Sequence, residues 1–134
     1  MSNHVRGTFD VNMGSLPAYD TAADAGMARM SIDKRFHGEL DATSTGEMLS
    51  AGNPQSGSAG YVAIERVRGT LAGRSGSFAL QHSGTMQDGH AELVVRVVPA
   101  SGTDALEGLT GTMDIVIADG QHSYEFAYEL PDQA

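Results

Sequence analysis

Apolar and polar residues alternate with a period of two along much of this chain, in runs separated by closely spaced glycines. No other feature limits the possible folds as much. The last run shows it best: His122, Tyr124, Phe126 and Tyr128 share one face of an extended chain, while Ser123, Glu125, Ala127 and Glu129 share the other. Pro131 ends the run, because proline has no N–H to give to a ladder. Helices find little room. The 17 glycines leave no window longer than about ten residues that avoids Gly and Pro while keeping a 3.6-residue apolar period. An all-β chain is expected.

The same alternation places the other strands. Val5, Gly7, Phe9, Val11 and Met13 form the first, and residues 27–49 bend at Gly38 to supply two more. Segments 61–68, 77–86, 92–99, 113–117 and 122–128 bring the number to about eight. Asp88-Gly89 and Asp119-Gly120 are hairpin turns, since both central positions of a type I′ turn need positive φ. Segments 17–26 and 51–60, rich in small and polar residues with no apolar period, are expected to be loops. An internal echo joins Leu71-Ala72-Gly73-Arg74-Ser75-Gly76-Ser77-Phe78 to Leu106-Glu107-Gly108-Leu109-Thr110-Gly111-Thr112-Met113. Each copy is a glycine-pinned corner that feeds a strand. Such corners between long strands suit a barrel better than a sandwich. Residues 1–134 are therefore expected to form one domain, a closed or nearly closed, calycin-like antiparallel barrel of eight strands.

Composition removes whole classes of function. The absence of cysteine excludes disulfides, thiol nucleophiles and thiolate metal sites, and fits a reducing compartment. A formal net charge of −9 with no basic stripe argues against nucleic acid and against anionic membrane surfaces. The N-terminal residues lack the apolar run of a signal peptide, and no segment approaches the roughly 20 apolar residues of a membrane span. A cytoplasmic location is expected. The five histidines show no ligand spacing on one element, so neither a metal nor a cofactor is expected.

Several stretches carry a resemblance. Arg35-Phe36-His37-Gly38-Glu39-Leu40, Gly46-Glu47-Met48-Leu49, Gly60-Tyr61-Val62-Ala63-Ile64-Glu65-Arg66, Gln81-His82-Ser83-Gly84-Thr85-Met86 and Tyr124-Glu125-Phe126-Ala127-Tyr128-Glu129-Leu130-Pro131 resemble the bacterial family called domain of unknown function 3224. That family is similar in fold to the allene oxide cyclase and dirigent barrels, and the segment Gly102 to Gly111 is similar to their glycine-rich corner. The resemblance implies a barrel and brings no established activity.

Alternation also shows which polar groups fall among apolar neighbours. Lys34 lies on the Met30, Ile32 and Phe36 face, and His82 follows Phe78 and Leu80 on its own. Glu65 shares a face with Tyr61, Ala63 and Val67, although Val62 and Ile64 make the opposite choice plausible. If these groups converge inside a barrel, they form the polar end of an otherwise apolar pocket. Glu65 and His82 are then candidates for acid/base work, and Tyr124 for donating to a developing oxyanion. Lys34, Phe36, Tyr61, Phe78 and Tyr128 are the candidate ligand contacts. Three functions follow: binding of a small hydrophobic or amphiphilic molecule, cofactor-independent isomerisation or cyclisation in the same pocket, or a non-catalytic oligomeric scaffold. Outward apolar groups around Val62 and Ile64 allow for a homodimer or a higher homo-oligomer.

Overall fold

The computed structural model describes residues 3–131. Eight strands run in chain order: β1 (Asn3–Leu16), β2 (Met27–Gly38), β3 (Leu40–Asn53), β4 (Ser58–Leu71), β5 (Arg74–Gln87), β6 (His90–Val97), β7 (Thr110–Ala118) and β8 (Gln121–Glu129). Each pairs antiparallel with the next, and β8 closes on β1 to complete a barrel. Closure pairs the long edges that would otherwise stay exposed.

The turns follow from residue chemistry. Asp88-Gly89 and Asp119-Gly120 both take positive φ at their two central residues, as a type I′ hairpin requires. Ala72-Gly73 does the same between β4 and β5, so the first copy of the internal echo is a tight hairpin. The second copy follows a short 3-10 turn at Asp104–Leu106 and then leads into β7. Segment 17–26 is irregular, as expected.

Segment 51–60 is different. The ladder continues through Ala51↔Gly60, Gly52↔Ala59 and Asn53↔Ser58, leaving only a short 3-10 turn at Pro54–Ser56 and the adjoining Gly57 outside it. These residues extend beyond the barrel interior. Backbone pairing holds them extended although no apolar face has to be buried.

The barrel's two ends differ. At one end Val5, Leu40, Leu71, Phe78, Leu80, Val97, Met113, Phe126 and Tyr128 fill the interior. The connection from β6 to β7 caps that end. Val98 N–H donates to the Ala79 carbonyl at 2.9 Å and Thr103 N–H to the Ser77 carbonyl at 2.9 Å, so the segment runs along β5. It then drops Leu106 and Leu109 into the core, both about 1 % exposed. Gly76 permits this close approach, since a Cβ there would strike the Thr103 carbonyl.

Tyr124 belongs to this packed end. Its ring meets Phe36 edge-on at 5.7 Å. Its hydroxyl donates toward the His37 carbonyl at 2.9 Å and accepts from the Leu40 N–H at 3.3 Å, pinning the β2–β3 turn. Gly7 and Gly38, which carry no side chain, make room for this ring and hydroxyl.

On the outer surface, Val62 and Ile64 point outward and are exposed, which places Ala63 and Glu65 inside. Leu49, Val62 and Val94 lie near one another on that surface through the Leu49↔Val62, Val62↔Ser83 and Ser83↔Val94 pairs.

The capping role of Leu106 makes a prediction. Leu106→Ala should destabilise the protein by about 2–5 kcal/mol in urea unfolding, with little change in the m-value. A cost below about 1 kcal/mol would show that the segment only lies over the barrel end without closing it.

Candidate functional site

The other half of the interior is unfilled. A cup of about 170 Å³ opens there, lined by Phe9, Val11, Met13, Ile32, Lys34, Met48, Tyr61, Ala63, His82, Leu93, Ile115, Ile117 and His122. Most of this lining is apolar, and two of its polar groups, Lys34 and His82, meet at one carboxylate.

Glu65 lies at the centre of those polar groups and is fully buried. Its Oε1 accepts the Ser44 hydroxyl at 2.7 Å. Its Oε2 accepts both the Lys34 ammonium at 2.8 Å and His82 Nε2 at 2.6 Å. Four strands supply the cluster: β2, β3, β4 and β5 carry Lys34, Ser44, Glu65 and His82 respectively. Gly46 faces Glu65 in the β3–β4 ladder, and the missing Cβ lets β3 pass close to the Glu65 backbone.

The electrostatics follow from these contacts. Burial raises the Glu65 pKa, but the His82 hydrogen bond and the Lys34 charge outweigh it and hold the carboxyl down at about 2. Glu65 is therefore an anion that only accepts hydrogen bonds. His82 must carry its proton on Nε2, which leaves Nδ1 as the second ring position. Among the described residues no buried side-chain nitrogen or oxygen lacks a partner and Nδ1 has none, so Nδ1 is an accessible atom on a side chain that lines the cup. Lys34 Nζ lies 4.9 Å from the Phe9 ring centre and 5.8 Å from that of Phe36, where the ring faces attract the cation. Tyr61 stays a neutral hydroxyl, because burial and the Glu65 charge both raise its pKa.

The residues singled out from alternation thus separate. Lys34, Glu65 and His82 meet, and Tyr61 stands on the wall above them. Phe36 lies beneath Lys34 as packing. Tyr124, Phe78 and Tyr128 are at or toward the packed end and do not line the cup. Alternation alone did not single out Ser44, although its spacing from Leu40 and Ala42 marks it as inward. Among the described residues no group of three or more His, Asp or Glu side chains could hold a metal ion.

The mouth of the cup is widened on one side. β6 and β7 share a single register pair, Arg96↔Thr112, and diverge beyond it toward the mouth. Leu93 and Ile117 line the cup yet are 41 % and 66 % exposed, at a level where β6 and β7 no longer pair with each other.

Comparison with known proteins gives a consistent picture. The family model for "protein of unknown function (DUF3224)" matches residues 5–128. A DUF3224-family protein of unknown function from Shewanella oneidensis MR-1, solved by crystallography, is 51% identical, with a TM-score of 0.92 over 99% of this chain and 100% of that one. No curated protein matches. No helix among the described residues is long and apolar enough to cross a membrane.

The Glu65 cluster makes a prediction about acid stability. Its folded pKa lies below the ordinary value of 4.5, so the unfolded chain takes up the proton first as pH falls. The stabilisation is complete above about pH 4.5 and is lost as pH falls through about 2. Urea unfolding between pH 6 and pH 2.5 should show the native protein losing on the order of 2 kcal/mol more than a Lys34→Met/Glu65→Gln variant. Parallel curves would mean that Glu65 does not titrate below the unfolded value.

Proposed function

We propose, since the chain belongs to the DUF3224 family and that family carries no assigned function, a function drawn from the cup itself: it binds a small amphiphilic molecule. One observation carries this. An apolar cup ends on a preassembled polar floor, in a barrel whose other half is packed solid. Burying Glu65 and Lys34 together is costly in desolvation, and a well-packed apolar group in their place would often be as stable or more so. Their presence at the floor of an open cavity is accounted for if the polar groups orient a ligand.

The size of the cup limits the ligand. About 170 Å³ is below the roughly 300–1,000 Å³ typical of sites for drug-sized molecules. One ring or a short chain fits, with its apolar part against Val11, Ile32, Met48 and Ile115 and its polar end toward Lys34 and His82.

A catalytic use of the same cup is favoured by one feature, the Glu65–His82 pair. An anion fixes Nε2–H, and Nδ1 is left facing the cavity in the manner of an oriented general base. Isomerisation through proton transfer at a bound ligand's carbon would use Nδ1 in that way, without Tyr124. The two uses separate on the ligand itself. A binding protein returns it unchanged, whereas a proton-transfer catalyst exchanges ligand hydrogens with deuterated water and loses that exchange in His82→Gln.

Occupancy of the cup is tested by filling it. Ala63 is inward, beside His82 and Met48 in the ladder, so Ala63→Leu projects into the cavity. In a thermal-shift panel of indole, benzyl alcohol, hexanol and the corresponding acids, at least one compound should raise the Tm of the native protein. That rise should vanish in Ala63→Leu while the Tm of the free variant moves by a few degrees at most. An undiminished rise in the variant would place binding elsewhere on the barrel.

A further inference from the structure

The polar floor shows which kind of polar end the cup accepts. Lys34 Nζ has three N–H donors, and among the described residues its one acceptor is Glu65 Oε2. Phe9 and Phe36 hold the ammonium through their ring faces and provide no lone pairs. Tyr61 contributes a hydroxyl that remains protonated. Nδ1 of His82 reaches the same space. A ligand approaching this floor therefore meets donors: the remaining ammonium hydrogens, the Tyr61 hydroxyl and, once protonated, the second imidazole nitrogen. The one carboxylate present is already occupied by three donors.

The charge balance narrows the class further. Lys34 and Glu65 neutralise each other, so the floor carries no net charge with a neutral imidazole and one positive charge with an imidazolium. The groups around His82 are Glu65 and Tyr61 from β4, Lys34 from β2, Ser44 from β3 and His122 from β8, while β6 adds only the apolar Leu93 and Val95. None of them adds a second negative charge. An incoming anion is matched once one more proton is present, and Nδ1 is the position open to take it.

We propose that the cup takes a small organic acid, with a carboxylate on Lys34 and His82 and an apolar body of one ring or a short chain, bound with uptake of one proton. This rests on the reading of the cup as a binding site and names its ligand class. The proton balance is the same whether His82 or the ligand carboxyl carries the proton in the complex.

The test uses matched probes of nearly equal shape: benzoate with benzamide, and hexanoate with hexanamide. They are titrated calorimetrically at pH 8 in two buffers of different ionisation enthalpy. The acids are expected to bind at least about tenfold more tightly than the amides, with a buffer-dependent heat corresponding to about one proton taken up. Lys34→Met/Glu65→Gln, which removes both charges and strands neither, should reduce the preference for the acid by removing the Lys34 contact, and still bind the amide. Equal affinity for acid and amide would overturn the acid assignment and leave the binding site standing. Tighter binding of the acids without proton uptake would overturn the charge balance. If no probe binds at millimolar concentration, both the acid assignment and the binding site fall.

Discussion

A buried anion organises the open half of this barrel. Glu65 is completely enclosed, and three donors from three other strands reach its two oxygens. Removing Lys34 leaves an unmatched charge and removing Ser44 an orphaned oxygen, each expensive in a low-dielectric interior. The contacts therefore constrain one another. Strands β2 to β5 must hold the register that brings Lys34, Ser44, Glu65 and His82 to one level, because a slip of one residue would turn each of them outward.

That constraint divides the interior into two parts. Below the cluster, aromatic and aliphatic side chains fill the space, and the β6–β7 connection seals it with Leu106 and Leu109. Above it, the walls remain apolar and nothing fills the middle. The packed half supplies cohesion that the open half lacks, so the cup can stay open without unfolding the barrel. The incomplete ladder between β6 and β7 adds to this contrast: on that side of the mouth each strand is tied to one neighbour only, β6 to β5 and β7 to β8, which lowers the cost of local opening there.

Much of the barrel was legible in alternation, and for a physical reason. In a strand the side chains take one face or the other, so Lys34, Glu65 and His82 among apolar neighbours had to be inward once Val62 and Ile64 were outward. The Asp-Gly pairs announced their turns because few other pairs tolerate two positive φ values in succession. Alternation says nothing about height along the barrel axis, however. Strand tilt decides which inward residues share a level. Tyr124 is inward as expected, yet its hydroxyl holds the β2–β3 turn at the packed end and does not join Glu65. Phe78 and Tyr128 lie low for the same reason. The plug at Leu106 and Leu109 carries no period at all, since a short irregular segment buries single residues and no continuous face. The strand ends at 51–53 and 58–60 were hidden for the opposite reason: they pair through backbone alone, with no side-chain pattern to mark them.

The account depends most on Glu65 being an anion held by its three donors. The direct measurement is the carbon-13 shift of the Glu65 side-chain carboxyl, followed by NMR from pH 7 down to pH 3 and assigned with Glu65→Gln. The shift should stay at its ionised position throughout, apart from the onset of change near the acid limit, in line with a pKa of about 2. A midpoint at or above the ordinary 4.5 would show a carboxyl that burial has neutralised, and the floor of the cup would then lack the charge on which the rest is built.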